Sequence, residues 1–304
     1  MNLKKRICYH TWNIGFIERE ISDVILSDEC QFQVKWIIHN YKDRFFADPF
    51  ILEKNDKEIK VIVEEYPFFR KKGIISLLTI NRDTYELIER KVVLEQPYHM
   101  SYPYIYRTND NKIWIAPEAS MSGCLYKYTM NPQNHMLENQ ELLINEPVVD
   151  STIIQHDGKY WLFCTKRGED SNRKLYIYHS KTSFGPWTTH HMAPAVDNCQ
   201  LARPAGSMIK INGSIYRVVQ KNDKSYGEAI NVTRIDKLSV SDFKETFIKQ
   251  ICAQKDRYSC GFHTINGYED ICVVDGLHKE FAPFRRLLFE FVNIVNGLWR
   301  KCRF

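Results

Sequence analysis

A short stretch, Phe45-Phe46-Ala47-Asp48-Pro49-Phe50-Ile51, sets an acid and a proline at the entrance of a run suited to a β-strand. The same design returns at Ser101-Tyr102-Pro103-Tyr104-Ile105, Val149-Asp150-Ser151-Thr152-Ile153-Ile154, Ala202-Arg203-Pro204-Ala205-Gly206-Ser207-Met208 and Gly261-Phe262-His263-Thr264-Ile265. Aligned on Asp48, Tyr102, Asp150, Arg203 and His263, the steps are 54, 48, 53 and 60 residues. Behind each mouth lies a turn and then a second apolar run. Asp157-Gly158, Asn212-Gly213 and Asn266-Gly267 are such turns. They suit hairpins because both central residues must take positive φ. A period near fifty residues with about four strands per unit is the mark of a propeller blade. The expected fold is therefore all-β, a five-bladed β-propeller. The last unit runs short of strands after Asp275, and the aromatic, β-branched run at 7–17 is expected to complete it. The alternative is an irregular β-sandwich with coincidental hairpins. The shared register of the five mouths argues against it.

Composition narrows the function. With 304 residues, 44% of them hydrophobic, the chain can bury a large core. The aromatic share, 13%, suits β-structure and sugar-stacking surfaces. The net charge is +5, but no long basic run crosses the body, so a nucleic-acid groove is not expected. The nine cysteines stand singly with no C-x-x-C pair, so no metal site is expected. Their odd number and the polar stretch after Met1-Asn2-Leu3-Lys4-Lys5-Arg6 suggest reduced thiols and a cytoplasmic address. No run of about 18 apolar residues is present to span a bilayer. Residues 1–280 are assigned to the propeller and 281–304 to a basic amphipathic C-terminal helix. On helical spacing Phe284, Leu287, Leu288, Phe291, Ile294, Val295, Leu298 and Trp299 share one face, flanked by Arg285, Arg286, Arg300, Lys301 and Arg303. That helix either lies on an anionic membrane surface through 284–303, giving a peripheral location, or packs on the propeller or a partner.

In a propeller the first residues of every innermost strand point at the central axis. The expected pocket is lined by Asp48, Tyr102, Asp150, Arg203 and His263. The second strands add Glu65, Glu118, Gln220 and Asp275. Paired carboxylates are what glycosyl chemistry requires, one as nucleophile or base and another as acid or stabiliser. Asp48, Asp150 and Glu118 are the catalytic candidates. Crowded acids raise one another's pKa, whereas an arginine lowers it. Arg203 would alternatively grip a phosphate or carboxylate with two parallel hydrogen bonds. Each acid also has a plain structural reading, since Asp at a strand mouth often caps a turn, and His263 is equally a structural hydrogen-bonder.

Ala47-Asp48-Pro49-Phe50, His99-Met100-Ser101-Tyr102-Pro103-Tyr104, Pro117-Glu118, Leu125-Tyr126, Asp150-Ser151, Gly185-Pro186-Trp187, Arg203-Pro204-Ala205-Gly206 and Tyr226-Gly227 occur in this order. Over roughly residues 10–276 the chain resembles the N-terminal propeller domain of plant glucosamine inositolphosphorylceramide transferases, which also occurs in bacterial surface-polysaccharide loci. More distantly it is similar to the arabinanase/xylosidase and invertase/levansucrase propellers. The resemblance implies Asp48 as base or nucleophile and Asp150 as pKa tuner or stabiliser. It adds His99 and Tyr226 to the substrate-binding candidates, with Glu65, Tyr102, Arg203, Gln220, Glu228 and His263. The enzymes with those folds carry a glutamic acid on blade four, where this chain has Arg203. Glu228 or Glu118 would then supply an acid, or the leaving group is a phosphate that needs none. The expected function is a glycosyltransferase that adds a sugar, a furanosyl unit such as fructose among the candidates, to a capsule or lipopolysaccharide. Its partners are an activated sugar donor and a glycan acceptor, with no cofactor. A glycoside hydrolase and a non-catalytic sugar-binding propeller are the alternatives.

Overall fold

The computed structural model describes residues 8–108 and 112–281. Five antiparallel sheets are arranged as blades. Blade one runs outward through Arg44–Lys54, Glu58–Pro67, Ile74–Asn81 and Leu87–Leu94. Blade two uses Ser101–Arg107, Ile113–Glu118, Leu125–Met130 and Leu137–Ile144. Blade three uses Val148–His156, Lys159–Lys166 and Lys174–Ser180, edged by the short strands Thr188–Thr189 and Val196–Asp197. Blade four uses Ile209–Ile211, Ser214–Lys221, Ala229–Leu238 and Phe243–Cys252. Blade five joins the two ends of the chain, in the order Ile265–Tyr268, Ile271–Phe281, Cys8–Ile17, Lys35–Trp36. The five-bladed, all-β propeller implied by the repeat is the fold, and the strand Cys8–Ile17 lies within its closing blade. Helix is confined to Ile21–Leu26 and a single 3₁₀ turn among the described residues. The C-terminal helix expected at 281–304 lies outside the described residues.

The core is divided between the blades. Ile75, Leu77, Ile115, Leu125, Ile153 and Leu162 pack together where blades one, two and three meet. Trp161, Phe163, Ile215 and Phe243 fill the seam between three and four. Val218, Ile230, Phe262 and Val274 fill the next seam. Ile14, Phe16, Phe46, Ile59 and Val273 fill the seam between five and one. Strands buried on both faces read as continuous apolar runs, as in Ile74-Ile75-Ser76-Leu77-Leu78.

One local device sets up the axis. In blades one, two and three the innermost strand slips register at the mouth, between Ala47 and Phe50, Ser101 and Tyr104, and Val149 and Thr152. Each slip is a bulge, which kinks the strand and re-aims a side chain. The residue inside it takes left-handed backbone: Asp48 at φ 49°, Tyr102 at 40°, Asp150 at 49°. Aspartate tolerates this region because its short side chain bonds locally, whereas tyrosine carries strain of about 1–2 kcal/mol. At the blade-four mouth Gly206 has φ 152°, and a Cβ there would sit 2.0 Å from the Ile265 carbonyl oxygen. Glycine is required at that close approach. The innermost strand of blade four is consequently short, starting only at Ile209.

Candidate active site

The five mouths are tied into a closed ring of hydrogen bonds. The Tyr102 amide donates to Asp48 Oδ2 at 3.2 Å, linking blades one and two. The Tyr102 hydroxyl meets Thr152 Oγ1 at 3.1 Å, and that hydroxyl meets the Gly206 carbonyl at 3.3 Å. The Ser207 amide donates to Asn266 Oδ1 at 2.8 Å. Asn266 Nδ2 returns to the Pro49 carbonyl at 2.9 Å, and Thr264 Oγ1 donates to Asp48 Oδ1 at 2.9 Å. Each blade is thereby held to the next at the axis, and Asp48 sits where the ring closes.

The two aspartates of this floor have different surroundings. Asp48 accepts from one backbone amide and one hydroxyl, and His263 Nε2 stands 3.7 Å from its Oδ1. Burial pushes its pKa up to about 6, with the charge of His263 opposing and Asp150 and Asp275 adding. Asp150 is instead clamped through Oδ2 by Arg203 Nε at 2.6 Å and Gln220 Nε2 at 2.8 Å. Glu118 accepts from Ser120 Oγ at 2.7 Å and Ser101 Oγ at 3.3 Å. Burial and the neighbouring Asp150 charge drive its pKa up to about 8, against the pull of Arg203. Glu118 and Arg203 line a cleft of about 900 Å³ together with Ser120, Ser122, Arg167 and Ser171.

His263 is buried between the Trp12 indole, stacked at 4.0 Å, and the Tyr226 ring, edge-on at 5.4 Å. Burial opposes its charged form, but Asp275, Asp48 and Asp150 outweigh this and raise its pKa. Asp275 lies 2.7 Å from His263 Nδ1 and accepts the backbone amides of Asp48, His263 and Thr264. Asp48, His263 and Asp275 bring donor atoms within 4.8 Å of one another, a spacing a cation could use. Three amides already occupy the Asp275 oxygens, so the trio fits a hydrogen-bonded lock better than a cation cage.

Several expected positions need correction. Glu65 does not reach the axis: it is fully buried within blade one, paired with Arg44 at 2.5 Å and Arg90 at 2.6 Å, and accepts from Ser76. Its neighbour Glu64 faces the axial acids instead. Successive strand residues point to opposite faces, and the bulge sets Glu64 opposite Ala47 and Glu65 opposite Phe46. Glu228 is drawn away by Lys221. Tyr102 is wholly buried in the floor, where it ties blades together and offers a ligand no surface. Arg203 is engaged through Nε by Asp150 and through Nη1 by Asn172 Oδ1 at 2.9 Å, so two of its five N–H donors are already used on the protein. Gln220 supports Asp150 but leaves its own Oε1 buried without a partner. His99 stands beside Glu64, and Tyr226 beside His263, half exposed with the Arg203 guanidinium 5.3 Å over its ring. The doublet Glu64-Glu65 was the one sequence signal for the missed acid, and it did not say which member turns inward.

The model of the family "Glucosamine inositolphosphorylceramide transferase 1, N-terminal" matches residues 32–269. The chain belongs to this family. It is 30% identical over 220 residues, 67% of its length, to glucosamine inositolphosphorylceramide transferase 1 of Oryza sativa subsp. japonica. The Arabidopsis thaliana protein of the same name is 30% identical over 209 residues, 66% of this chain. The chain spans about 28% of the length of the first of these relatives and 27% of the second. Among solved structures, a thermostable family-43 glycoside hydrolase superposes with a TM-score of 0.54 at 14% identity, over 71% of this chain and 81% of that one. An exo-β-1,3-galactanase from Clostridium thermocellum gives 0.51 at 10% identity, over 79% and 59%. These likenesses carry the fold.

Proposed function

We propose, with that family membership as the premise, that this chain transfers a glycosyl group at the axial cluster. The observation that carries the reading is the pair of buried aspartates with opposite settings. Asp48, with a pKa near neutrality, suits a base that takes the acceptor's proton. Asp150, clamped by Arg203 and Gln220, is placed as a fixed negative charge to stabilise an oxocarbenium-like transition state. Glu118 lines the cleft, and the Asp150 charge helps to raise its pKa. The cleft, lined by serines and arginines, is large enough for a sugar donor. The relatives' name, a transferase, supports an activated donor and a glycan or lipid acceptor. A bacterial surface polysaccharide is the acceptor proposed here, and a furanosyl unit the sugar. Action at the inner face of a membrane would rest on 284–303. No helix among the described residues is long and apolar enough to cross a membrane.

Hydrolysis is the second reading, and one observation favours it. Arg203 is held by Asp150 and Asn172, which weakens its candidacy as a clamp for a donor phosphate. The test is to incubate the protein with nucleotide-activated sugars and, separately, with nitrophenyl glycosides, with and without acceptor glycans, and to follow products by mass spectrometry. Asp48→Asn is expected to slow transfer at least ~10³-fold while the melting temperature does not fall. Free sugar released without an acceptor supports hydrolysis. Unchanged turnover in Asp48→Asn overturns the axial assignment.

A further inference from the structure

Glu64 is a buried carboxyl, only 7% exposed, in the middle of the axial acids. Among the described residues no hydrogen-bond donor is placed on it, whereas Asp48, Asp150, Glu118 and Asp275 each accept at least one hydrogen bond. Among the described residues its one ion-pair partner within 4 Å is His99, whose Nε2 stands 3.6 Å from Oε1. The state of that imidazole follows from its other side. The Gly73 amide donates to His99 Nδ1 at 2.8 Å. Nδ1 therefore carries no proton, and a neutral ring must carry it on Nε2, facing Glu64. Burial lowers the His99 pKa, the Arg203 charge adds to this and the Asp150 charge opposes it; the net shift is downward and favours the neutral ring. Glycine is needed at 73: a Cβ there would sit 2.2 Å from the Met100 carbonyl and 2.7 Å from Glu64 Oε1.

A carboxyl in this setting keeps its proton. Burial, with the charges of Asp48, Glu118, Asp150 and Asp275 around it, raises the Glu64 pKa well above the usual range. His99, Tyr66 and Tyr226 are further titratable groups that face it. Glu118 differs, because both its oxygens are held by serines.

We propose that Glu64 is the proton donor of the axial site and that His99 is its positioning residue. The inference rests on the reading of glycosyl transfer at the axis. The acceptor hydroxyl oxygen attacks the anomeric carbon and gives its proton to the Asp48 carboxylate. The bond from that carbon to the leaving oxygen breaks with its electron pair, and the leaving oxygen takes the proton of Glu64. His99 Nε2–H closes onto the new carboxylate and stabilises it. Asp48 then loses a proton to solvent and Glu64 regains one, so the cycle balances. Because the acid lies on blade one, an arginine at the blade-four mouth is no obstacle to protonating a poor leaving group.

The test uses leaving-group dependence on the full chain. The probes are glycosyl fluorides and 2,4-dinitrophenyl glycosides, which depart without a proton, and methyl or disaccharide glycosides of the same sugars, which need one. Glu64→Gln is expected to lose ~10²–10³-fold on the second group and under ~10-fold on the first. Asp48→Asn is expected to lose activity on both. His99→Ala should move the alkaline limb of the pH–rate profile upward, since the Glu64 carboxylate loses its stabilising donor, and His99→Gln should restore it in part. Protonated Glu118 also absorbs at neutral pH, so the infrared signal of protonated carboxyls should lose one component in Glu64→Gln, keep that component in Glu118→Gln, and be unchanged in Glu65→Gln. Equal losses on both groups of probes, or none, overturn the role of Glu64. Full activity of Asp48→Asn, or no turnover of any probe by the wild type, overturns the reading beneath it.

Discussion

Glu118 shows how a single buried carboxyl links catalysis to stability. In the folded protein its pKa is pushed up to about 8 from an ordinary 4.5, so between those values the folded state holds a proton that the unfolded chain has released. Stability is then greatest below pH ~4.5 and falls as pH rises toward ~8. Glutamine keeps the shape and has no proton to lose. Glu118→Gln is expected to be more stable than wild type at pH 8 by on the order of 4 kcal/mol, with the difference vanishing near pH 4.5. Thermal melts across that range check it, and parallel curves for the two proteins would remove the proposed burden on Glu118. Asp48, raised by burial to about 6, adds the same trend over a lower window. The site therefore carries free energy unfavourable to the fold at neutral pH, as is common where acids and bases are tuned for chemistry.

At the scale of elements, the bulged strand mouth is the unit that repeats. Three left-handed residues at equivalent bulges turn Asp48, Tyr102 and Asp150 inward. Blade four reaches the same close approach with glycine in place of a bulged side chain. Gly206→Ala would set a Cβ against the Ile265 carbonyl, which is backbone of the blade-five strand and cannot swing aside. The substitution is expected to cost at least about 2 kcal/mol and to loosen the link from Thr152 to the Gly206 carbonyl. Denaturant unfolding measures the first effect. An unchanged midpoint would mean that the blade-four mouth is less constrained than its contacts indicate.

For the whole molecule, stability depends on closing the ring. Cys8–Ile17 pairs along its whole length with Ile271–Phe281, from Ile17 opposite Cys272 to Cys8 opposite Phe281. The pairing joins the most distant parts of the described chain, so it is reached late, after much loop entropy has been lost. Phe16, fully buried in the seam between blades five and one, is the test of how much that closure contributes. Phe16→Ala is expected to destabilise by about 3–5 kcal/mol, as for a large core truncation, and chiefly to speed unfolding. A loss near zero in equilibrium unfolding would mean that the ring holds without its closing strand.

Much of this was legible along the chain. The repeat, the Asp-Gly and Asn-Gly turns and the apolar runs report local backbone preferences, and five copies of one local preference suffice to specify five blades. The same logic brought Asp48, Asp150 and His263 to one axis, since every mouth occupies the same place in its blade. What the sequence left open depends on contacts between blades or on a shift of a single residue. Period-two counting puts Glu64 and Glu65 on opposite faces but cannot say which face meets the axis, because that depends on how blade one packs against its neighbours. Nor could spacing reveal that Arg203 pairs with Asp150, 53 positions away, instead of waiting for a phosphate. The hydrogen-bonded ring through Tyr102, Thr152, Gly206 and Asn266 is likewise invisible until the blades meet. The sequence alone determined the architecture and the residues at its centre, because these follow from local conformation repeated. Only the tertiary structure decided which carboxyls stay protonated and which are paired, because those states depend on burial and on charges brought together through space.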